Sequence, residues 1–264
     1  MEYREKSYNT MKVEFEDAVA IVRFDRPDAL NAANMEMSYE RMEIFSGLAA
    51  DDSVRVVIVT GSEKAYCAGG DLAAFSQFGV PEAQEWMQRG VAYQKVFSEM
   101  PKPTIAAIAG FAYGGGMESV LMCDLRIAAD NAKFALPEIN VGIFPGGGGT
   151  QRLTHNLPIA LVKEMIFFGK IIEAEEALTL GLVNKVVPLA TLLDEARDWA
   201  KKLLRKPPLS LKAAKMAVNA AYSTDIATGM ALEAQAWAAL YGTADQKEGM
   251  TAFLEKRKPS FQGK

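Results

Sequence analysis

Hydrophobic positions along the chain fall into two textures. In the first half, short β-branched runs bounded by turn residues predict strands at Val19–Phe24 (VAIVRF), Val54–Thr60 (VRVVIVT), Thr104–Ala109 (TIAAIA) and Leu125–Ala128. Helical spacing between them predicts helices over 34–49 and 82–99, the second with Trp86, Val91, Tyr93 and Phe97 set among Glu, Gln and Lys. Strands alternating with helices predict an α/β core with buried parallel pairing.

From residue 158 onward Ala, Leu, Lys and Glu dominate, with breaks at Gly169, Gly181, Pro188 and Pro207-Pro208. This predicts helices over 159–168, 174–179, 190–205, 209–222, 226–241 and 244–256. The last three carry apolar stripes (Met216, Leu232, Trp237, Phe253) that need cover, either from the core or from a neighbouring subunit.

Half of the 264 residues are hydrophobic and 23% are charged, a globular composition sufficient for one core and a smaller appended unit. A net charge of −4 counts against nucleic-acid binding but leaves room for a local anion site. Cys67 and Cys123 lack metal-ligand spacing and read as two free buried thiols. His155 is the only histidine and reads as incidental, which disfavours Ser/His/Asp and His-metal schemes. The N-terminal stretch has no apolar signal core and no run approaches membrane-spanning length, so a soluble, cytoplasmic protein is expected.

Three glycine-containing segments hold the candidate chemistry. In Cys67-Ala68-Gly69-Gly70-Asp71 the glycines permit a sharp turn with outward N–H groups, and Asp71 can cap the next helix; alone, the segment reads equally as a strand-to-helix turn. Phe111 to Glu118 (FAYGGGME) opens a helix with free N–H groups, a place to hold negatively charged oxygen. Glu118 in that first turn is also what a capping box or the helix dipole would select. The spacing matches neither the dinucleotide nor the P-loop glycine pattern. In Leu136 to Arg152 (LPEINVGIFPGGGGTQR), four glycines after Pro145 shape either a close-approach loop or a flexible connector. Glu138, set among apolar residues, is either a solvated loop carboxylate or one whose pKa rises enough to serve as a general acid.

The segments YCAGGDL, KPTIAAIAGFAYGGGMESVLMCDLRIA and FALPEINVGIFPGGGGTQRL, with GLVNKVV and ADQKEGMTAFLEKRKPSF, closely resemble the enoyl-CoA hydratase/isomerase, or crotonase, superfamily from residue 26 to Phe261. The resemblance implies an α/β fold, a crotonase-like spiral of ββα units, with a catalytic core over 1–195 and a helical trimerisation region over 196–264. It implies that the Gly70 and Gly115 amides form an oxyanion hole for a thioester oxygen, each donor of this kind contributing about 2.7–4 kcal/mol. It implies that Glu118 and Glu138 add water to an enoyl-CoA, Glu118 deprotonating water and Glu138 protonating C2.

By the same resemblance Ala29, Leu30, Ala68, Asp71 and Leu72 line the CoA and thioester, while Phe253 and Lys256 lie in a tail that reaches a neighbouring subunit's CoA. Lys256 reads equally as a solvated helix-end lysine. The chain departs from the common pattern at Asp28 and Ala73, where many members carry a basic residue. No metal or redox cofactor is implied; coenzyme A is part of the substrate. The implied assembly is a homotrimer or a hexamer made of two trimers. Within the same fold, a Δ3,Δ2-enoyl-CoA isomerase or a hydratase of an aromatic- or alicyclic-derived acyl-CoA stays open, and Phe75 and Phe78 either limit the acyl pocket or pack a mobile loop. A non-catalytic or RNA-binding member of the fold is disfavoured by the acidic composition.

Overall fold

The computed structural model describes residues 2–264. Two parallel-rich sheets organise the first two thirds. Strands β1 (Met11–Glu16), β2 (Val19–Phe24), β3 (Val56–Thr60), β5 (Thr104–Ile108), β7 (Leu125–Ala129) and β10 (Lys185–Val187) form a six-stranded sheet in that order. Strands β4 (Ala65–Cys67), β6 (Phe111–Tyr113), β8 (Lys133–Ala135) and β9 (Ile172–Glu173) form a second sheet. Only β1–β2 and β8–β9 are antiparallel.

The chain therefore advances as a spiral. The pairs β3–β4, β5–β6 and β7–β8 each place one strand in each sheet before the chain leaves through helices. After β4 come α2 (Leu72–Phe75) and α3 (Val80–Ser98); after β6 comes α4 (Gly115–Met122). Following β8 come α5 (Gly149–Asn156), α6 (Ile159–Phe168) and α7 (Ala174–Thr179). Helix α1 (Met35–Ala50) precedes the spiral, and α8 (Leu192–Leu204), α9 (Pro208–Ala220), α10 (Ile226–Leu240) and α11 (Ala244–Leu254) follow it.

Period-2 alternation decides what each face of the large sheet touches. Val57, Val59, Ala106 and Ile108 face α1, α3 and α4 through a cluster with Phe45, Tyr66, Phe97 and Phe134. Val56, Ile58, Ile105 and Ala107 face Leu192, Ala196 and Ala200 of α8. Asp124 fastens this core to the C-terminal helices: it accepts from the Thr104 amide at 2.8 Å and hydroxyl at 2.9 Å, and from Lys215 of α9 at 2.8 Å.

The predicted strands and long helices are present, with ends shifted by two residues at most. Several elements were not anticipated. Met11–Glu16 (MKVEFE) is β1, an alternating pattern that the sequence displays openly. The three-residue strands β4, β6 and β8 lie inside or beside the glycine segments, too short for a periodic signal. The glycine run, read as a close-approach loop or a connector, ends in a helix, α5. The cysteines are free and buried. The core does not cover the late apolar stripes: Met216 is 47% exposed, Trp237 60% and Phe253 82%.

Phe97 is fully buried and packs against Phe45 and Tyr93, with ring centroids 4.4 Å and 5.7 Å away. Phe97→Ala should destabilise the fold by about 3–5 kcal/mol, read as a fall in the urea midpoint.

Candidate active site

Two glycine turns meet where β4 and β6 end. A Cβ built on Gly69 (φ +104°) would stand 3.1 Å from the Tyr113 carbonyl and 3.5 Å from the Gly115 nitrogen. One built on Gly116 would stand 2.0 Å from the Cys67 carbonyl, so α4 lies hard against β4. Side chains at Gly69 or Gly116 would separate these segments.

The Gly70 and Gly115 amides are left free by the local folding. A bridge joins Ala33 to Gly70, but its bonds are Ala33 N–H to the Gly69 carbonyl at 2.7 Å and Asp71 N–H to the Ala33 carbonyl at 2.9 Å. Gly70's own N–H lies outside that ladder. Gly115 is the first residue of α4, where an amide has no intrahelical acceptor. Neither N–H has an acceptor among the described residues.

The turn at 26–31 builds the wall beside Gly70. Leu30 and Asn31 take left-handed backbone (φ 49° and 59°). The buried Asn31 side chain accepts the Arg26 amide at 2.9 Å and donates to the Ala65 carbonyl at 2.7 Å. Ala68 N–H donates to the Leu30 carbonyl at 3.0 Å. Ala29, Leu30, Ala68 and Asp71 are thereby gathered around one turn. Asp71 caps α2 through the Ala73 and Ala74 amides and pairs with Arg26 at 3.0 Å, while Leu72 is 54% exposed. Asn31 and Arg26, both inside RPDALNA, are the positioning groups that sequence reasoning passed over.

A shallow cavity of about 290 Å³ lies beside this turn, lined by Asn9, Asp25, Arg26, Pro27, Asp28 and Ala29. Its one cation, Arg26, is turned to Asp71 and the Ala32 carbonyl. Phe253 and Lys256 sit exposed at the end of the chain, and neither hydrogen-bonds to the residues of the two glycine turns.

Glu118 projects from the first turn of α4 into the interior, only 5% exposed. It does not cap its own helix. Its Oε1 accepts from the amides of Gly147 at 2.7 Å and Gly149 at 2.9 Å. A Cβ on Gly147 would fall 2.1 Å from Glu118 Oε2, so this run lacks side chains in order to reach the carboxylate. Arg152, one turn into α5, donates to Gln94 Oε1 at 2.8 Å and the Gly147 carbonyl at 3.3 Å, bracing the loop. Burial raises the Glu118 pKa; the Gly149 and Gly147 amides and the Arg152 and Arg41 charges oppose it.

Glu138 begins a short 3-10 turn (Glu138–Val141) just after β8. The Gly114 amide donates to the Ala135 carbonyl at 2.9 Å, and a Cβ on Gly114 would stand 3.1 Å from Glu138 Oε1. The same backbone that starts α4 thus brings Glu138 to the glycine turns. Its Oε2 is buried without a hydrogen-bond partner. Burial, reinforced by the Glu118 charge, pushes its pKa up to about 7. The two carboxyl groups are therefore unlike: one holds two N–H donors, the other holds its proton near neutrality. His155 belongs to neither, packing edge-on against Tyr222 at 4.8 Å.

The chain matches the family model described as enoyl-CoA hydratase/isomerase over residues 14–264. It is 41% identical over 256 residues to the crotonyl-CoA hydratase of Syntrophomonas wolfei, covering 97% of this chain and 98% of the relative. It is 41% identical over 254 residues to the short-chain-enoyl-CoA hydratase of Clostridium acetobutylicum, covering 95% and 96%. The structure superposes on the enoyl-CoA hydratase of Bacillus anthracis with a TM-score of 0.93 at 35% identity, covering 97% of this chain and 100% of that one. The spiral of strand pairs is the crotonase fold, and the chain belongs to the enoyl-CoA hydratase/isomerase family.

Two measurements follow from the geometry. Gly147→Ala should leave the chain folded but lower turnover at least about tenfold by displacing the Glu118 carboxylate, since small misplacements of catalytic groups are costly; unchanged turnover would show that the loop does not position it. The second concerns pH. Because folding raises the Glu138 pKa, the native state holds that proton more tightly than the unfolded chain, and stability falls as pH rises from the ordinary carboxylate range to about 7. Glu138→Gln, neutral throughout, should gain Tm relative to the native chain at pH 8 more than at pH 5. Equal differences at the two pH values would show that this carboxyl titrates normally.

Proposed function

We propose that this protein is an enoyl-CoA hydratase, a hydro-lyase that adds water across the 2,3 double bond of a trans-2-enoyl-CoA to give a 3-hydroxyacyl-CoA. The observation that carries this reading is the pair of unlike glutamates set beside two glycine turns with free amides. The thioester oxygen accepts from the Gly70 and Gly115 N–H groups, which oppose the charge that gathers on it as the double bond polarises. Glu118, held by its two amide donors, orients water and takes a proton as the oxygen bonds to C3. Glu138 delivers its proton to C2. Return of a proton from Glu118 to Glu138 through solvent restores the pair.

Family kinship to relatives named for crotonyl-CoA and short-chain enoyl-CoA supports a short acyl group and a place in fatty acid β-oxidation. The apolar residues left exposed on α9 to α11 support assembly as a trimer or a hexamer, in which Phe253 and Lys256 reach a neighbouring subunit's CoA. Among the described residues no helix is long and apolar enough to cross a membrane.

Glu118→Gln and Glu138→Gln should each cut hydration of crotonyl-CoA by orders of magnitude while acyl-CoA still binds, followed as loss of enoyl-thioester absorbance. Near-normal rates in either variant would remove that glutamate from the mechanism. Shift of a 3-enoyl-CoA to its 2-enoyl isomer with no hydration would favour the isomerase reading.

A further inference from the structure

Helix α1 turns Met37, Ser38, Ile44, Phe45 and Leu48 into the core, and Arg41 falls on the same stripe, between Met37 and Phe45 at i+4 spacing. A charged residue at a core position ordinarily has a carboxylate partner. Arg41 has none: no ion pair and no hydrogen bond joins its guanidinium to any described residue, and its Nε is buried without a partner. The guanidinium instead stacks over Tyr93 at 4.5 Å and Trp86 at 5.4 Å, both on α3. Two more buried groups at this junction also lack partners: the Tyr93 hydroxyl, and the hydroxyl of Ser38 one turn before Arg41. Buried donors left without partners are rare in folded proteins, and the one on a guanidinium stands out because a cation seeks an anion.

The junction adjoins the catalytic cleft. The Glu118 charge acts on the Arg41 guanidinium. Trp86 packs against Phe75 at 4.9 Å, and a Cβ on Gly70 would strike the Phe75 ring at 2.3 Å. Met87, the neighbour of Trp86, lies against Gly146 of the loop that holds Glu118. An acyl chain with its thioester at Gly70 and its reacting carbons at Glu118 thus runs toward a wall made by Phe75, Trp86, Tyr93 and Arg41.

We propose that Arg41 forms an acyl-group subsite that takes a carboxylate at the far end of a short 2-enoyl chain. A guanidinium fork can grip a carboxylate through two N–H bonds. The subsite rests on the hydratase reading of the cleft.

The test compares binding of two unreactive thioesters, glutaryl-CoA and butyryl-CoA, and hydration of glutaconyl-CoA and crotonyl-CoA, in the native protein, Arg41→Lys and Arg41→Met. The native protein should favour the carboxylate-bearing member of each pair at least about tenfold, the scale of a charged hydrogen-bonded pair. Arg41→Met should reverse the preference, and Arg41→Lys should recover part of it. Folding of Arg41→Met is expected, since an apolar side chain suits the stripe; Arg41→Lys keeps the charge if it does not fold. Equal affinity for the two thioesters in the native protein would overturn the subsite. So would an equal loss on both substrates with a shifted pH profile, which would make Arg41 only a charge acting on Glu118. If neither thioester binds, the acyl-CoA reading itself fails, and the subsite with it.

Discussion

The two hydrogen bonds from the Gly147 and Gly149 amides to one oxygen of Glu118 are the constraint around which this structure is arranged. A carboxylate this deeply buried is costly unless donors meet it. Its donors come from a loop 29 and 31 residues further along the chain, so the third turn of the spiral must close over the second before the second is stable as built. The bare backbone at Gly147, the brace from Arg152 and the start of α5 all follow from that meeting. In this sense the glycine run is a ligand for a side chain, and its lack of Cβ atoms is what lets it approach.

The second carboxyl gains its character from what it lacks. Glu138 stands beside the same glycine turns with one oxygen buried and unpaired, so the proton remains the cheapest partner for it near neutral pH. Two identical side chains are thus set in unlike surroundings, one met by backbone amides and the other left to burial. Environments that push paired titratable groups apart are a recurrent way of assigning acid and base roles.

Much of this was legible in the sequence, for reasons that can be named. Strand β2 and helices α6 and α7 carry whole periods of their pattern between clear breaks, and their ends agree with the sequence reading to the residue. That Glu118 and Glu138 stand beside the glycine turns was expected from the family resemblance, since each segment alone read equally as a turn, a cap or a loop. The division into two sheets was not, since strands of three residues such as Ala65–Cys67 complete barely one alternation. The partner of Glu118 was not legible either, because nothing local in MESVLM marks a contact to Gly147. Arg41 was passed over for an instructive reason: a charge within a helix reads as a solvent-facing position, and only the stripe made by its neighbours shows that it faces inward.

The whole stretch from Leu72 to Ser98 leaves the spiral after β4 and returns at β5 without lending a strand to either sheet. Its Phe75 and Trp86, packed together, belong to the wall of the acyl-group subsite proposed above, while the glutamates and free amides belong to other segments. Insertions, deletions and substitutions in that excursion can change which acyl groups are admitted while the strand register and the reacting carboxyls stay fixed. Lineages built on this scaffold can explore new substrates through one segment and inherit the reaction through the others.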